Sequence, residues 1–189
     1  MIFFRYKLCV CVTWALSLTF SPLSDAEDIY YGINISSLDY TETASQPINI
    51  PVFSVPAISG KLGKKWNDNF SGELRAGFGL SEDERVMVVN GSIVPIALEL
   101  NSFYGTYIRV GEQINSTFYP YAIAGYTRSK GVASVLSVKN SHSETDTSFG
   151  IGFDLYLSKS LKVNFEYMNY LDKNSASVDG SSIGLTSSF

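Results

Sequence analysis

The segment TSFGIGFDLYLSKSLKVNFEYMNYL, residues 147–171, gives the clearest indication of the fold. Alternate positions on both sides of the short 158–160 segment are apolar: Phe149, Ile151, Phe153, Leu155, Leu157, Leu161, Val163, Phe165 and Tyr167. The positions between them carry the glycines, the charges and most polar groups: Ser148, Gly150, Gly152, Asp154, Tyr156, Lys162, Asn164, Glu166 and Met168. A period of two predicts a β-hairpin whose strands each have one oily face. The fold depends on which face points inward.

The same alternation predicts six further strands and no amphipathic helix. They fall near residues 29–37, 58–66, 70–80, 96–110, 118–130 and 181–189. The alternation assigns Leu98, Leu100 and Tyr104 to the oily face of the fourth strand. It assigns Tyr119, Tyr121, Ile123 and Thr127 to the oily face of the fifth, with Tyr126 on the opposite face. The connections alternate in length along the chain. Short ones follow strands two, four and six, and long ones follow the others, at residues 39–57, 81–95, 131–146 and 172–180. This predicts an up-and-down sheet with short turns at one end and long loops at the other.

The N-terminus has the composition of an export signal. A basic start is followed by an apolar segment at residues 8–20 and by small residues around Ala26. This order predicts a signal peptide over residues 1–26, cut after Ala26, and a single domain over residues 27–189.

Cysteine content and charge exclude two classes of protein. Cys9 and Cys11 both lie in the predicted signal peptide, so the mature chain would have no disulfide scaffold. The chain has a net charge of −4, which makes nucleic acid an unfavourable partner. The sequence also indicates no cofactor and no metal cluster; the acidic 81–84 segment (SEDE) is at most a weak cation site.

Three features predict that the oily face points outward. The opposite face is rich in Gly, Ala and Ser with charges of both signs, which suits a narrow polar interior. Aromatic residues end the strands on the oily face at the short-turn side: Trp66, Phe70, Tyr119, Tyr121 and Phe189. Aromatic bands of this kind mark transmembrane barrels. Each predicted strand has at least about 9 residues, and about 9–11 are enough to cross a bilayer when tilted.

A sheet survives in hydrocarbon only when it closes, since every backbone amide needs a partner within the protein. The prediction is therefore all-β: an eight-stranded antiparallel up-and-down transmembrane β-barrel with short periplasmic turns and longer extracellular loops. Its lumen would be filled by side chains. Candidate interior ion pairs are Lys61, Glu73, Arg75, Asp154 and Glu166, with a structural role or, alternatively, a gated conduction path.

Two segments resemble a known family. FYPYAIAGYTRSKG (residues 118–131) and FGIGFDLYLSKSLKVNFEYMNY (residues 149–170) are similar to the motifs of the OmpA-like and OmpX–Ail–opacity group of small barrels. The resemblance implies the outer membrane of a Gram-negative bacterium, surrounded by lipid and lipopolysaccharide. It also implies that the barrel-insertion machinery reads the last strand, with Gly184, Leu185 and Phe189 as the signal. Ser187 departs from the apolar residue usual there.

The resemblance implies a non-enzymatic role in adhesion or envelope integrity, with the long loops binding a host or surface ligand. A lipid A-modifying enzyme is an alternative, because His142 lies beside Ser141 and Ser143 and acyl transfer uses such groups. A small-solute channel is another. A soluble lipocalin-like carrier is the alternative fold.

Overall fold

The computed structural model describes residues 28–42, 50–89, 92–136, 138–173 and 176–188. The predicted signal peptide and the predicted terminal Phe189 lie outside these residues. Within them, no helix has the length and apolar character needed to cross a membrane.

The described residues form nine strands. Their bounds are β1 (Ile29–Glu42), β2 (Phe53–Lys65), β3 (Phe70–Gly79), β4 (Asp83–Val89), β5 (Ser92–Gly111), β6 (Phe118–Val135), β7 (Val138–Tyr156), β8 (Leu161–Lys173) and β9 (Ala176–Ser188). All pairs are antiparallel, in the order β3-β2-β1-β9-β8-β7-β6-β5-β4, and β3 also pairs with β5. The β3–β5 pairing closes a ring of eight strands, which confirms the predicted eight-stranded barrel.

Strand β4 stands outside the ring and is an addition to the prediction. β3 pairs with β5 up to Gly77↔Phe103, and β4 resumes pairing along the same strand at Asp83↔Leu98. β4 is thus a continuation of β3 after a short break. The hairpin β6–β7 likewise continues to the pair Val135↔Val138. The predictions of loops at residues 81–95, 131–146 and 172–180 were therefore wrong, because cross-strand pairing extends through most of each segment; β8 ends at Lys173 and β9 begins at Ala176.

The two faces of the strands have opposite environments, and the decisive hairpin shows it clearly. Phe149 and Ile151 are 57% and 67% exposed, whereas Asp154 and Asn164 on the other face are fully buried. A protein folded in water buries its large apolar side chains instead. The predicted outward orientation of the oily face is confirmed here.

Strand β6 corrects the prediction. The sequence placed Tyr121, Ile123 and Thr127 on the oily outer face and Tyr126 on the opposite face. In the structure these three are buried and Tyr126 is 61% exposed, and Tyr119, also predicted on the outer face, lines an interior cavity. The physical reason is polar: the Tyr121 hydroxyl donates a hydrogen bond to a buried Glu166 oxygen at 2.5 Å. Small alanines then face outward on this strand.

A β-bulge changes which side chains face inward in the outer part of β5, where the prediction was wrong. The pairing with β6 shifts between Leu100 and Ser102, so that one extra residue, Asn101, enters the strand. A bulge reverses the alternation beyond it. Leu98 and Leu100, predicted on the same face as Tyr104, line an interior cavity instead.

Candidate functional site

A network of charged side chains fills the middle of the barrel. Four cations and three carboxylates contribute, one or two from each of five strands: Lys61 (β2), Glu73 and Arg75 (β3), Arg109 (β5), Asp154 (β7), and Lys162 and Glu166 (β8). All seven are buried. We call this set the lumen network. Each member lies on the inward phase of its strand, which is why side chains distant in sequence meet.

Arg75 is the centre of one half of the lumen network. Its guanidinium holds both oxygens of Glu166, with Nη1–Oε2 at 2.5 Å and Nη2–Oε1 at 3.0 Å. Its Nε donates to Glu73 Oε2 at 2.7 Å. Lys61 lies 3.8 Å from Glu166 and donates to Asn164 at 3.0 Å. Bidentate, charge-assisted hydrogen bonds of this kind are stronger than neutral ones and also fix the orientation of the two side chains.

Arg109 is the centre of the other half. It bridges Glu73 and Asp154 at 2.9 Å each, and Lys162 approaches Asp154 at 2.6 Å. The guanidinium also lies 3.5 Å from the ring centroid of Tyr121, a cation–π contact. Because Glu73 bonds both arginines, the two halves form one connected chain across the lumen.

The five interior residues named from the sequence are all in this network. Arg109 and Lys162 were missed as partners, although the alternation placed both on polar faces. The signal that would have found them is register: Glu73 pairs across β3–β5 near Arg109, and Asp154 lies across β7–β8 from Asn164, two residues from Lys162. From sequence alone these registers were unknown.

A separate cavity opens at the end of the barrel opposite the short turns, which we call the far end. Its volume is about 420 Å³. Its floor is apolar: Leu38, Val55, Leu98, Leu100, Leu171 and Val178. Its rim carries Glu42, His142, Glu144 and Lys173. The long connections of the sequence thus become the walls of a cavity.

The rim places the single histidine next to a carboxylate. His142 Nε2 lies 2.7 Å from Glu144, and Lys173 donates to the other oxygen of Glu144 at 3.1 Å. These hydrogen bonds, that from Lys173 first, lower the pKa of the Glu144 carboxyl. The acidic 81–84 segment is also engaged, since Asp83 pairs with Arg85 at 3.0 Å and accepts the Ser54 amide at 2.7 Å.

The residues named for membrane insertion lie in β9. Gly184 pairs with Asn34 and Asn164 and faces the lumen, whereas Leu185 is 48% exposed on the outside. Phe189 lies outside the described residues.

Solved structures of small barrels share this architecture. The attachment invasion locus protein Ail of Yersinia pestis superposes with a TM-score of 0.60 at 13% identity, covering 85% of this chain and 97% of Ail. Neisserial surface protein A gives 0.63 at 10% identity, covering 86% and 97% of the two chains. The outer membrane protein OprG of Pseudomonas aeruginosa gives 0.54 at 14% identity, covering 85% and 94%. At such identities the likeness concerns the fold.

No curated protein matches the chain in sequence. A family model does match, over residues 11–189, and its description is outer membrane protein beta-barrel domain. The matched region contains the whole ring of strands, the lumen network and the far-end cavity. With an apolar exterior, a polar lumen and a closed ladder, the chain belongs to the outer membrane β-barrel domain family and resides in the outer membrane.

Proposed function

We propose that the protein is a non-conducting surface barrel that binds a protein partner at its extracellular end. The observation that carries the proposal is a sheet that projects beyond the barrel. It consists of β4 and the adjoining parts of β5, β6 and β7, and we call it the outer sheet. β5, β6 and β7 have 20, 18 and 19 residues. About 9–11 residues suffice to cross a bilayer, so these strands extend well past it.

The outer sheet exposes apolar side chains. Five of them are more than 60% exposed: Val86, Val88, Ile93, Leu136 and Val138. Contiguous exposed apolar surface beyond the lipid is typical of protein interaction sites. Scattered single residues would need no explanation, but Val86, Val88 and Ile93 lie on one face of this sheet, since Val88 pairs with Ile93 and Val86 with Pro95.

The outer sheet also has an open edge. Among the described residues, β4 forms its ladder with β5 alone. An unpaired edge offers backbone donors and acceptors, and partners commonly add a strand to such an edge. Glu82, just before β4, and Glu84, its second residue, favour a partner with basic residues beside an apolar core, whereas Asp83 between them is paired with Arg85.

The test uses cells that display the protein and a cultured epithelial monolayer. The double variant V86D/V88D places charges on the outer sheet, and we expect adhesion to fall about tenfold, as for loss of an interface anchor. Ile114→Asp is the matched control, because Ile114 is equally exposed (61%) but lies in the short-turn connection after β5. Unchanged adhesion in a V86D/V88D barrel that still shows a heat-dependent gel shift would refute the proposal.

The non-conducting part of the proposal rests on the lumen network. Its bonded side chains occupy the lumen, and moving ions past them would require breaking buried pairs. We expect planar-bilayer conductance at background. Stable conductance steps that disappear when the protein is omitted would favour the channel alternative.

A lipid A-modifying activity remains the second alternative, to be tested at His142. The bond of this imidazole goes to Glu144, whereas acyl transfer by a serine enzyme needs the imidazole within reach of a hydroxyl. We expect His142→Ala to leave the lipid A profile of the cells unchanged. We further propose that β9, with Gly184 and Leu185, carries the signal read by the insertion machinery.

A further inference from the structure

We propose that the periplasmic end of the barrel holds a binding site for a phosphate group. A cavity of about 270 Å³ lies there, below the lumen network, and we call it the short-turn vestibule. Three cationic side chains and three tyrosines line it: Lys65, Arg109, Lys162, Tyr30, Tyr119 and Tyr156. This cavity is distinct from the far-end cavity and from the outer sheet.

The charges around the short-turn vestibule favour an anion. Asp68 is the single acidic residue in its lining, against the three cations. Two of these cations, Arg109 and Lys162, also belong to the lumen network, so the two sets together contain five cations and four carboxylates, a surplus of one positive charge. Arg109 and Lys162 share the carboxylate of Asp154, and Arg109 also bonds Glu73. The interior therefore has a positive surplus next to a cavity, and an entering anion would balance it.

The lining also presents hydrogen-bond donors without partners. The Nε of Arg109 is buried and has no hydrogen-bond partner in the described part of the chain. A buried donor without an acceptor lowers stability, so an acceptor that enters gains the whole bond. Lys65 and the Tyr156 hydroxyl add two further donors that bond to no other described residue. Donors from β2, β5 and β7 thus surround one cavity.

A phosphate group fits this arrangement better than a halide does. It offers several strong acceptor oxygens in different directions, which match donors from several strands, and arginine with lysine is the usual protein complement to phosphate. Two sources have this chemistry: a phospholipid headgroup and free phosphate. The aromatic side chains of Trp66 and Phe70 lie beside the short turns and are exposed, which places the opening near headgroup level.

The test uses the full chain purified from membranes in a maltoside detergent, which contains no phosphate. Isothermal titration with inorganic phosphate, at constant ionic strength set by chloride, is the free-phosphate arm. Micelles doped with phosphatidylglycerol, compared with micelles doped with diacylglycerol, are the lipid arm. The variants are Lys65→Gln and Tyr156→Phe, which leave every pair of the lumen network intact. Lys64→Gln is the matched control, because Lys64 neighbours Lys65 but points outward and is exposed.

We expect saturable binding in at least one arm. Each of the two vestibule variants should weaken it about tenfold, whereas Lys64→Gln should leave it unchanged, as loss of one charge-assisted bond predicts. Binding to phosphatidylglycerol alone would identify the headgroup as the source, and binding of inorganic phosphate would identify the free ion. No saturable heat in either arm, or equal weakening by Lys64→Gln, would overturn the proposal. The heat-dependent gel shift of each variant verifies that the barrel is folded.

Discussion

The lumen network and the far-end cavity lie inside the same strands, yet their side chains have opposite character. In the membrane-spanning part the interior holds buried ions and amides, and the exterior is apolar. At the far end leucine and valine side chains line much of the interior, and the exposed His142 and Lys173 lie with Glu144 at the rim. The difference follows from the surroundings, because lipid outside leaves polar groups no place but the lumen, whereas water outside allows an ordinary apolar interior.

Two β-bulges lie at the boundary between the polar interior of the membrane-spanning part and the apolar interior of the far end. The β5–β6 register shifts at Asn101, and the β8–β9 register shifts at Tyr170, between Asn169 and Leu171. Beyond each bulge the inward phase passes to leucines, Leu100 on β5 and Leu171 on β8. A single inserted residue thus converts a polar-in strand into an apolar-in strand without a change in the sequence pattern.

The largest effect should come from breaking the lumen network. Glu166→Gln leaves Arg75 and Lys61 buried without their shared carboxylate, and breaking a buried pair costs about 3–5 kcal/mol. Glu144→Gln removes a carboxylate on the exposed far-end rim, where ion pairs contribute little. Urea unfolding of the detergent-solubilised barrel measures both variants. Equal destabilisation would mean that the two regions do not differ as described.

The next largest effect on stability should come from a charge placed on the outer surface of the barrel, compared between the membrane-spanning part and the outer sheet. Ile151→Arg puts a charge on the lipid-facing side of β7, which costs about 2–4 kcal/mol near the bilayer centre. Val88→Arg makes the same change on the outer sheet, where side chains meet water, and should change stability by less than about 0.5 kcal/mol. The same unfolding measurement compares them. A similar loss at Val88 would place the outer sheet in lipid.

A smaller effect separates the two faces of β6. Tyr121→Phe removes the hydroxyl that donates to Glu166, and a bond to a charged group contributes about 1.5–3 kcal/mol. Tyr126→Phe removes an exposed hydroxyl from the opposite face of the same strand. We expect a lowered unfolding midpoint for the first variant and an unchanged one for the second. The reverse order would restore the face assignment made from the sequence.

The alternation in the sequence was sufficient to predict the closed ring, because seven of the eight strands keep one oily face throughout the membrane. It failed on β6, where Tyr121 and Ile123 look lipid-facing by polarity alone. A tyrosine is amphipathic, so its face depends on whether a partner such as Glu166 is within reach, and that partner is 45 residues away. The alternation of residues within one strand carries no information about a contact with a residue so far away in the sequence.

The sequence was sufficient to predict that charged residues face the interior, but not which of them pair with each other. Glu73 and Arg75 alternate on one strand, so the sequence shows that they share a face. That Arg109 joins Glu73 to Asp154 depends on the stagger between strands, which the closed ladder sets. The outer sheet was missed for a different reason: turn-forming residues between strands indicate a loop, but β-branched residues inside the same segments pair when a neighbouring strand extends far enough.

The smallest effect concerns the far-end rim. Hydrogen bonds from Lys173 and His142 lower the pKa of Glu144 from its ordinary value of 4.5. A lowered pKa means that the rim contacts are fully formed above the ordinary value and are lost as the pH falls through the lowered one. Lys173→Gln removes the main cause, so the Glu144 titration midpoint should move up in that variant. NMR titration of the Glu144 side-chain carboxyl follows both midpoints. An unchanged midpoint would show that Lys173 does not hold Glu144 in solution, and that the contact of Glu144 at the rim rests on His142.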